Sequence, residues 1–482
     1  MNKKQLSNTL ISLVPLAVLV SLLAVDIGIF GSDAIMGASQ VSLLVAAGVC
    51  VWLAMWRFKT PWADFEEAIR ANLGDVASAI VILLLIGALS GAWTVSGVVP
   101  TFIYYGLKII SPKVFLLSAC AICSLVSVMT GSSWTTIATI GVALMGIGKA
   151  EGFSEGMIAG AIISGAYFGD KISPLSDTTV MASSVNRVPL FTHIRYMMIT
   201  TVPSITIALI IFTVLGLAHD GAPASQIAMY SDSLKNTFNL TPWLLIVPIV
   251  TGVLIARKMP ALVVLAISTA LAAVFALIIQ PELVHGLGEK VAQGSNARVF
   301  FAGTAEMLYN SVSIETGHAE VDALVSTRGM IGMLNTIFLI ICSMCFGGCM
   351  RASGMLRRIS LLILPLTRRR FGLVSSTVIS GTVLNGIVSD QYLSIILTSD
   401  LLRDTYDKEG YERRLLSRSV EDSATVTSPL YPWSSCGMTQ STILHVPTIT
   451  YLPFCFFNLI SPLMSMTIAA IGYKIFKKPA EE

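Results

Sequence analysis

The chain has 482 residues, of which 54% are hydrophobic and only 12% are charged. Its mean hydropathy is +0.77, whereas an ordinary soluble domain carries about 25% charged residues. This composition excludes a soluble globular domain and predicts an integral membrane protein. The net charge of +3 is spread mainly over loops, so the charge does not indicate a nucleic-acid partner.

Apolar runs recur along the whole chain. A helix needs about 17 to 25 residues to span a bilayer, and the runs cover residues 10–30, 41–56, 76–99, 114–129, 196–217, 243–256, 261–280, 330–350, 371–388 and 451–475. Lipid offers no hydrogen-bond partners to the backbone, and the runs lack the alternation of barrel strands. We therefore expect an all-α polytopic membrane protein with about ten to twelve spanning or re-entrant helices.

Several kinds of chemistry find no support in the sequence. The C-x-x-C spacings at Cys120 and Cys342 lie in apolar runs without nearby His or acidic ligands. No G-x-x-x-x-G-K-[ST] loop is present for ATP, and no nucleophile lies at a useful spacing from a base. We expect no enzyme activity and no cofactor. The expected partners are membrane lipid and a small transported solute, and the sequence leaves a homodimer open.

The chain contains an internal repeat. Residues 127–134 match residues 381–390 when Gly131 is laid on Gly386 (386 − 131 = 255). Residues 170–177 match residues 425–432 when Pro174 is laid on Pro429, at the same offset. A third pair of segments shares a Ser-Gly step at an offset of 257 (354 − 97). We expect a first repeat with additional N-terminal helices in residues 1–240 and a second repeat in residues 241–482.

Basic residues indicate how the two repeats are oriented, because cytoplasmic loops carry an excess of Lys and Arg. With the N-terminus inside, residues 101–113 lie outside and carry only Lys108 and Lys113. The corresponding loop of the second half is strongly basic and should lie inside: Arg351, Arg357, Arg358, Arg368, Arg369 and Arg370. The repeats are therefore predicted to be inverted. This orientation places residues 403–418 outside despite four arginines among them.

Inverted repeats with broken helices are typical of secondary transporters. In residues 129–136 and 384–391, a glycine and polar residues interrupt apolar runs. Two prolines remove backbone donors and favour extended geometry in the preceding serines. Freed N–H and C=O groups carry partial charges that can bind ions. We expect four breaks that converge on one cavity, with these candidate residues: Thr130, Gly131, Ser132, Ser173, Pro174, Asn385, Gly386, Ser428 and Pro429.

Charged residues lie beside these breaks. Carboxylates in membrane segments are costly and by default suggest ion or proton handling, although some could be ordinary interfacial charges. Lys171 is either a counter-ion of Asp170 or part of an interfacial salt bridge. Hydroxyl oxygens at the same places suit a hard cation such as Na+, but hydroxyls more often bond to the helix backbone. The candidates are Asp170, Lys171, Ser173, Asp177, Thr178, Asp390, Asp422, Thr425 and Ser428, with Glu421 beside Asp422 given less weight.

A second polar stretch, residues 310–329, precedes an apolar run and contains Glu315, His318, Glu320 and Asp322. Its spacing differs from the H-E-x-x-H pattern of zinc sites. The stretch is either a solvated loop at the membrane surface or a gate that lines the cavity.

The segment FGDKISPLSDTT, residues 168–179, resembles the signature of the NhaC family of sodium/proton antiporters, within the wider ion transporter superfamily. Residues 316–333, 346–350 and 427–433 also resemble family segments in the expected order. The resemblance implies a multi-pass exchanger in the bacterial cytoplasmic membrane, with Asp170, Ser173, Asp177 and Thr178 at or near the sodium and proton path. The second repeat has Thr425 and Pro432 where the first has acids, which argues against two equivalent cation sites.

Sodium/proton antiport, with cytoplasmic Na+ exchanged for external H+, is the leading hypothesis. The runner-up is sodium- or proton-coupled exchange of a small organic acid of the malate or lactate type, or of an amino acid, because the same family resembles such exchangers. A passive channel would not need paired inverted breaks. An intramembrane enzyme would need a nucleophile or metal cluster.

Overall fold

Helices form nearly all the regular structure of the protein in the computed structural model, which describes residues 3–30, 37–257, 259–360 and 370–477. Over those ranges, extended pairing is limited to two isolated bridges, Val312 with Thr327 and Tyr411 with Lys477. The predicted all-α class is confirmed. Arg368 and Arg369, which entered the orientation argument, lie outside the described residues.

The helices of the first half follow one another with short connections. In chain order they are α1 (Lys3–Phe30), α2 (Ala38–Leu53), α3 (Trp62–Asp75), α4 (Ala77–Val95), α5 (Val98–Ile109), α6 (Pro112–Thr130), α7 (Ser133–Thr136), α8 (Val142–Ala150), α9 (Glu155–Ile172), α10 (Asp177–Val185), α11 (Leu190–Leu217) and α12 (Ala224–Thr237). π-helical turns extend α2 through Phe58 and join α7 to α8.

The second half has a similar series of long and short helices. In chain order they are α13 (Ile246–Ala256), α14 (Ala261–Ile279), α15 (Pro281–Glu289), α16 (Asn296–Tyr309), α17 (Ala319–Leu324), α18 (Gly329–Ala352), α19 (Met355–Ser360), α20 (Arg370–Val388), α21 (Gln391–Lys408), α22 (Arg413–Val420), α23 (Ser435–Leu444), α24 (Thr448–Tyr451) and α25 (Phe456–Ile471). A π-helical turn, Glu421–Thr425, and a 3₁₀ turn, Ser428–Leu430, follow α22.

The described helices include seven that are long and apolar enough to cross a membrane. They lie at residues 7–30, 38–58, 112–130, 190–217, 261–279, 329–352 and 370–388. Three pairs pass the same test together and are bent by 65° between α4 and α5, by 93° between α12 and α13, and by 56° between α24 and α25. The count rises to ten if each bent pair is one span, which confirms a multi-pass membrane protein.

Two breaks interrupt the first half where the sequence predicts them. α6 ends at Thr130, and Gly131 adopts φ 67° in the left-handed region. A Cβ on Gly131 would lie 2.6 Å from the carbonyl carbon of Leu175, so the first break packs directly on the second. After α9, the chain passes through Pro174 before α10 begins, and the hydroxyl of Ser176 accepts a hydrogen bond from the backbone N–H of Thr179. Glycine is needed at the first break because both its conformation and its close contact exclude a side chain.

The glycine break of the second half lies one turn later than predicted. Asn385 and Gly386 are inside α20, and the left-handed residue is Ser389, with φ 59°. A Cβ on Gly386 would lie 3.0 Å from the ring of Tyr431. A glycine in a membrane helix often serves close packing rather than a break, and sequence spacing does not separate the two uses. Asp390 then caps α21 by accepting a hydrogen bond from the N–H of Leu393.

Corresponding turns and caps identify the repeated elements. Gly97 between α4 and α5 and Gly354 between α18 and α19 both have positive φ, 89° and 65°. The caps of the helices after the breaks are 258 positions apart (390 − 132 and 434 − 176), because Ser132 and Ser176 cap α7 and α10 while Asp390 and Ser434 cap α21 and α23. The predicted repeat is therefore present in the order of the elements.

Helices of the two halves are intermixed, and each of the two large apolar cores contains helices from both halves. One apolar core combines helices of the first half with α14, α16 and α17, and also with residues 426–457. A second core packs α1 and α2 against α18 and α19. The boundary after residue 240 stays a prediction about the repeat, because the packing crosses it.

Candidate functional site

Asp170, in the last turn of α9, lies between the starts of two short helices. Its Oδ2 accepts hydrogen bonds from the backbone N–H of Ser133, at 3.2 Å, and from the Ser133 hydroxyl, at 2.6 Å. Its Oδ1 accepts one from the Ser176 hydroxyl at 2.6 Å. The residue is only 5% exposed. These three donors offset much of the cost of burying a carboxylate.

Hydroxyl groups continue around this carboxylate. The hydroxyl of Thr178 lies 2.9 Å from that of Ser176, and both residues are buried. Thr179 donates to the backbone carbonyls of Asp170 and Lys171 at 3.2 and 3.0 Å. A buried carboxylate with several hydroxyl oxygens supplies the all-oxygen surroundings that hard cations prefer.

Other candidates of the first repeat shape the turns around this group. Thr130 accepts from the N–H of Ser132 at 3.1 Å, and Ser173 donates to the carbonyl of Val128 at 2.8 Å. Pro174 and Asp177 are exposed at the second break. Asp177 is the first residue of α10 and still acts electrostatically on Asp170.

Lys171 forms a buried ion pair that joins the two repeats. Its ammonium group contacts Asp422 and donates to the Ser461 hydroxyl at 2.8 Å. The hydroxyl of Thr200 also donates to Asp422, at 3.0 Å. Both charged side chains are fully buried. Neither predicted role of Lys171 is observed, because its partner is the carboxylate of the other repeat, which sequence distance concealed.

Arg418 also lies in this buried network. Its Nε is 3.8 Å from Oδ2 of Asp422, both side chains are fully buried, and its guanidinium lies 4.7 Å from the ring centre of Tyr196. The sequence placed Arg418 with an external loop, which is wrong. The other three arginines of that stretch are paired with acids, Arg403 with Asp400, Arg413 with Asp407 and Arg414 with Glu412. This neutralisation weakens the conflict that residues 403–418 posed for the inverted orientation.

The second repeat also places a carboxylate between the starts of two helices, α21 and α23. Asp390 accepts from the N–H of Leu393 at 3.0 Å and from the Ser435 hydroxyl at 3.3 Å. The N–H of Ser435 donates to the carbonyl of Ser389 at 2.8 Å, which ties the two breaks together. Here the carboxylate comes from the cap of α21, whereas in the first repeat it comes from the end of α9. Each repeat thus has a buried acidic residue at its break, but the two acidic residues, Asp170 and Asp390, occupy different positions of the repeat.

The remaining candidates of the second repeat hold its break together. Asn385 donates to the carbonyl of Ala424 at 2.5 Å and to the hydroxyl of Thr427 at 2.9 Å. The carbonyl of Ser428 accepts from the Ser434 hydroxyl at 2.5 Å, and that of Pro429 accepts from Tyr451 at 2.8 Å. Thr425 is buried in the π-helical turn. The candidates thus form two clusters, which the pair of Lys171 and Asp422 connects.

Several residues of the network escaped the sequence analysis. Ser133 and Ser176 lie within the motifs already singled out, and their positions directly after a break place them at a helix start, Ser133 as the first residue of α7 and Ser176 as the cap of α10. The i,i+4 spacing of Arg418 and Asp422 was a signal of contact on one helix face. Thr200 and Ser461 lie in ordinary apolar helices, and nothing in their spacing distinguishes them.

The polar stretch of residues 310–329 is anchored to α12. Glu320 accepts hydrogen bonds from the hydroxyl of Tyr230 at 2.6 Å and from Gln226 at 3.2 Å. Asp322 accepts from the backbone and hydroxyl of Thr316, and these bonds hold the pKa of Asp322 below its usual range. The stretch is therefore an ordered connection, and a gating role stays a prediction.

Helix N-termini that meet at a buried carboxylate, arranged twice along one multi-pass chain with broken helices, are typical of the class of secondary active transporters. A model of the family described as "Na+/H+ antiporter family" matches residues 3–186 and 165–473. The chain belongs to this family, and the resemblance to NhaC proteins is confirmed.

The names of the relatives of this chain specify different transported solutes. A malate-2H(+)/Na(+)-lactate antiporter of Bacillus subtilis is 36% identical over 425 residues, covering 88% of this chain and 87% of that protein. The Na(+)/H(+) antiporter NhaC of Alkalihalophilus pseudofirmus is 36% identical over 441 residues, covering 91% and 90%. Among solved structures, the YdaH transporter of Alcanivorax borkumensis aligns with a TM-score of 0.37 and 14% identity, covering 84% of this chain and 88% of that one.

Proposed function

We propose that the protein is a sodium/proton antiporter of the bacterial cytoplasmic membrane, which exports Na+ in exchange for external H+. The similarity to proteins named as sodium/proton antiporters supports this proposal. The proposed reaction moves ions without forming or breaking covalent bonds. It requires no cofactor.

The Asp170 cluster is the observation that carries the proposal. Asp170 supplies one negative charge, and the hydroxyls of Ser133, Ser176 and Thr178 supply neutral oxygens next to it. Rotation of the hydroxyl hydrogens away from the carboxylate would turn these oxygens toward a bound Na+. A monovalent cation would then replace the two hydroxyl donors, while the backbone N–H of Ser133 would stay bonded to Asp170.

The pair of Lys171 and Asp422 supplies the mechanical link that alternating access requires. Transporters of this class expose their site by rocking one repeat against the other. Lys171 is next to the proposed sodium ligand Asp170 in sequence, and its partner belongs to the other repeat. Occupancy of the sodium site is therefore linked to the contact between the repeats through a single turn of α9.

Exchange of a small organic acid is the second candidate function. The fully buried cations Lys171 and Arg418 favour it, because such groups bind carboxylates well. One of the named relatives is described as a malate and lactate antiporter. In the described part of the chain, however, both cations already share Asp422, so an anionic cargo would have to displace that carboxylate.

Purified protein in sealed proteoliposomes with an imposed pH gradient tests the proposal. Addition of Na+ should dissipate the gradient, whereas K+ at the same concentration should not. Malate and lactate, each added as the K+ salt and then with Na+, form the second arm. Proton movement that requires malate or lactate would reject sodium/proton antiport in favour of organic acid exchange.

A further inference from the structure

We propose that a basic surface where the end of α2 meets α19 binds the phosphate group of an anionic membrane phospholipid. Five cations form this basic surface: Arg57, Lys59, Arg351, Arg357 and Arg358. None of them belongs to the Asp170 cluster. The proposal is independent of which ions the protein transports, so its test and the test of sodium/proton antiport have separate outcomes.

Buried contacts hold the two segments of the basic surface together. The thiol of Cys50 in α2 lies 3.6 Å from the hydroxyl of Ser353 and 3.8 Å from the sulfur of Met355. Met355 begins α19 and is fully buried. Phe58, in the π-helical turn that extends α2, has its ring centre 3.7 Å from the guanidinium of Arg358. The cations of both segments therefore lie on one surface, although 300 positions separate Phe58 from Arg358 (358 − 58).

The guanidinium of Arg358 is held in place with most of its donors free. Its Nη1 donates to the carbonyl of Ser353 at 2.9 Å, and the ring of Phe58 supports one face. Partial burial lowers the pKa of Arg358, because the charge loses part of its hydration. A phosphate group accepts parallel N–H bonds from the planar fork of an arginine. An anion at the free edge of Arg358 would therefore compensate for the lost hydration.

Carboxylates do not neutralise the basic surface. Among the described residues, none of its five cations has a carboxylate oxygen within 4.0 Å. Arg351 instead donates to the backbone carbonyl of Ala68 in α3, at 3.3 Å. The acidic stretch at the start of α3, residues 64–67, has its ion pair with Arg70. By contrast, all four arginines of residues 403–418 are paired with acids. The charge of the basic surface is thus available to an anion outside the chain.

Tryptophans place the basic surface at the level of lipid headgroups. Trp52 and Trp56 are 65% and 62% exposed, and their parallel rings lie 6.1 Å apart. Trp62, on the other side of Arg57 in the chain, is 55% exposed. Tryptophans of membrane proteins gather at the boundary between hydrocarbon and water, and basic side chains at this level attract anionic lipids. A lipid of the membrane therefore fits this surface better than a soluble anion or an acidic protein.

Lipid binding to the purified full-length protein tests the proposal. Native mass spectrometry in detergent measures the dissociation constants for phosphatidylglycerol, which is anionic, and for phosphatidylcholine, which has no net charge. Wild type should bind phosphatidylglycerol more tightly. Arg57→Gln and Arg358→Gln should each weaken this binding by about fivefold, the contribution of one cation near an anionic lipid surface, and should leave phosphatidylcholine binding unchanged. Arg298→Gln, which removes an exposed arginine from α16, is the matched control and should change neither.

Arg358→Lys separates the shape of the guanidinium from its charge. This variant keeps the charge and loses the planar fork, so its affinity for phosphatidylglycerol should lie between those of wild type and Arg358→Gln. Inorganic phosphate at millimolar concentration should not displace phosphatidylglycerol from wild type. Displacement would overturn the proposal, because the surface would then bind a soluble anion.

Three other results would also overturn the proposal. The first is equal affinity of wild type for the two lipids. The second is unchanged affinity for phosphatidylglycerol in both Arg57→Gln and Arg358→Gln. The third is an equal loss of affinity in Arg298→Gln, which would show a response to total charge rather than to one surface. If Arg358→Gln fails to fold, Arg57→Gln decides, because the Arg57 side chain is exposed.

Discussion

Asp422 pairs with two buried cations, Lys171 and Arg418, whereas Asp422 is the carboxylate that both cations share. Without Asp422, Lys171 would keep its hydrogen bond to Ser461, whereas Arg418 would keep, among the described residues, its contact with the ring of Tyr196. Loss of one partner from a buried ion pair costs about 3 to 5 kcal/mol, because the other charge remains buried. The loss of folding free energy should therefore depend on which of the three charged residues is replaced.

We predict that Asp422→Asn destabilises the protein more than Lys171→Met does. Asp422→Asn leaves two buried cations without their anion and should reach about 3 to 5 kcal/mol. Lys171→Met leaves Asp422 with Arg418 and Thr200, and should cost less. Thermal unfolding of the purified variants in detergent measures both effects. Lys149→Ala is the control, since the surface pair of Lys149 and Glu155 should contribute less than about 1 kcal/mol. An equal or larger effect of Lys171→Met would contradict the shared counter-ion.

The role of a single residue could be predicted from the sequence only where the residue lies inside a recognisable motif. Asp170 is in a polar segment between apolar runs, so its importance was visible. Arg418 was misplaced because a basic residue near an apolar run usually marks a loop. Its burial depends on Asp422, one turn away, and on Tyr196, 222 positions earlier (418 − 196). Contacts across such distances leave no pattern in a single sequence.

At the scale of helices, a cap marks the start of each helix that follows a break. Ser132, Ser176, Asp390 and Ser434 each cap such a helix with a side-chain oxygen, and prolines precede two of these caps. A cap stabilises a helix start by about 1 kcal/mol, while proline removes a donor and disfavours helix in the residue before it. Caps and prolines therefore act together at the breaks before α10 and α23, whereas the starts of α7 and α21 rely on the cap.

Substitution of the prolines should impair transport more than membrane insertion. Pro429 lies in a buried turn whose carbonyl accepts from Tyr451, whereas Pro174 is exposed. We expect Pro429→Ala to lower the rate of sodium-dependent proton movement by up to about a hundredfold, since a misplacement of about 1 Å at a site can have an effect of this order. Pro174→Ala should have a smaller effect. The initial rate per reconstituted protein is the measurement.

Pro281→Ala is the control for this comparison, because Pro281 occupies the first turn of α15, outside both break regions. Wild-type rates in both Pro174→Ala and Pro429→Ala would mean that the caps alone determine the breaks. The prolines would then have no part in the site.

Element prediction succeeded for long apolar helices and failed for helices that are short or carry charges. The run at residues 114–129 corresponds to α6, Pro112–Thr130. α7, α8 and α9 were not recognised as helices, because α7 and α8 are too short to span a membrane and α9 contains glycines and three charged residues. Glycines allow close packing between helices, so a feature that brings α9 close to α6 also weakens its signal in a hydropathy plot.

The molecule as a whole is predicted to consist of inverted repeats. Lys108 on α5 and Arg357 on α19 follow the equivalent left-handed glycines and are both exposed. Single cysteines at these positions, in a background without the eight native cysteines, should react with an impermeant thiol reagent from opposite faces of intact vesicles. Permeabilised vesicles, in which both should react, provide the control. Reaction from the same face would reject the inversion.

The proposed antiport requires Asp170 to bind the transported sodium ion. Asp170→Asn keeps the size of the side chain and removes its charge, so a Na+ ion would have only neutral oxygens at the site. Asp64→Asn, an exposed change on α3, is the matched control. The measurement is sodium-dependent dissipation of an imposed pH gradient, with each variant shown to be folded and reconstituted in equal amounts. We predict wild-type activity for Asp64→Asn and none for Asp170→Asn at any Na+ concentration that saturates the wild type. Dissipation by Asp170→Asn with wild-type sodium affinity would contradict the claim.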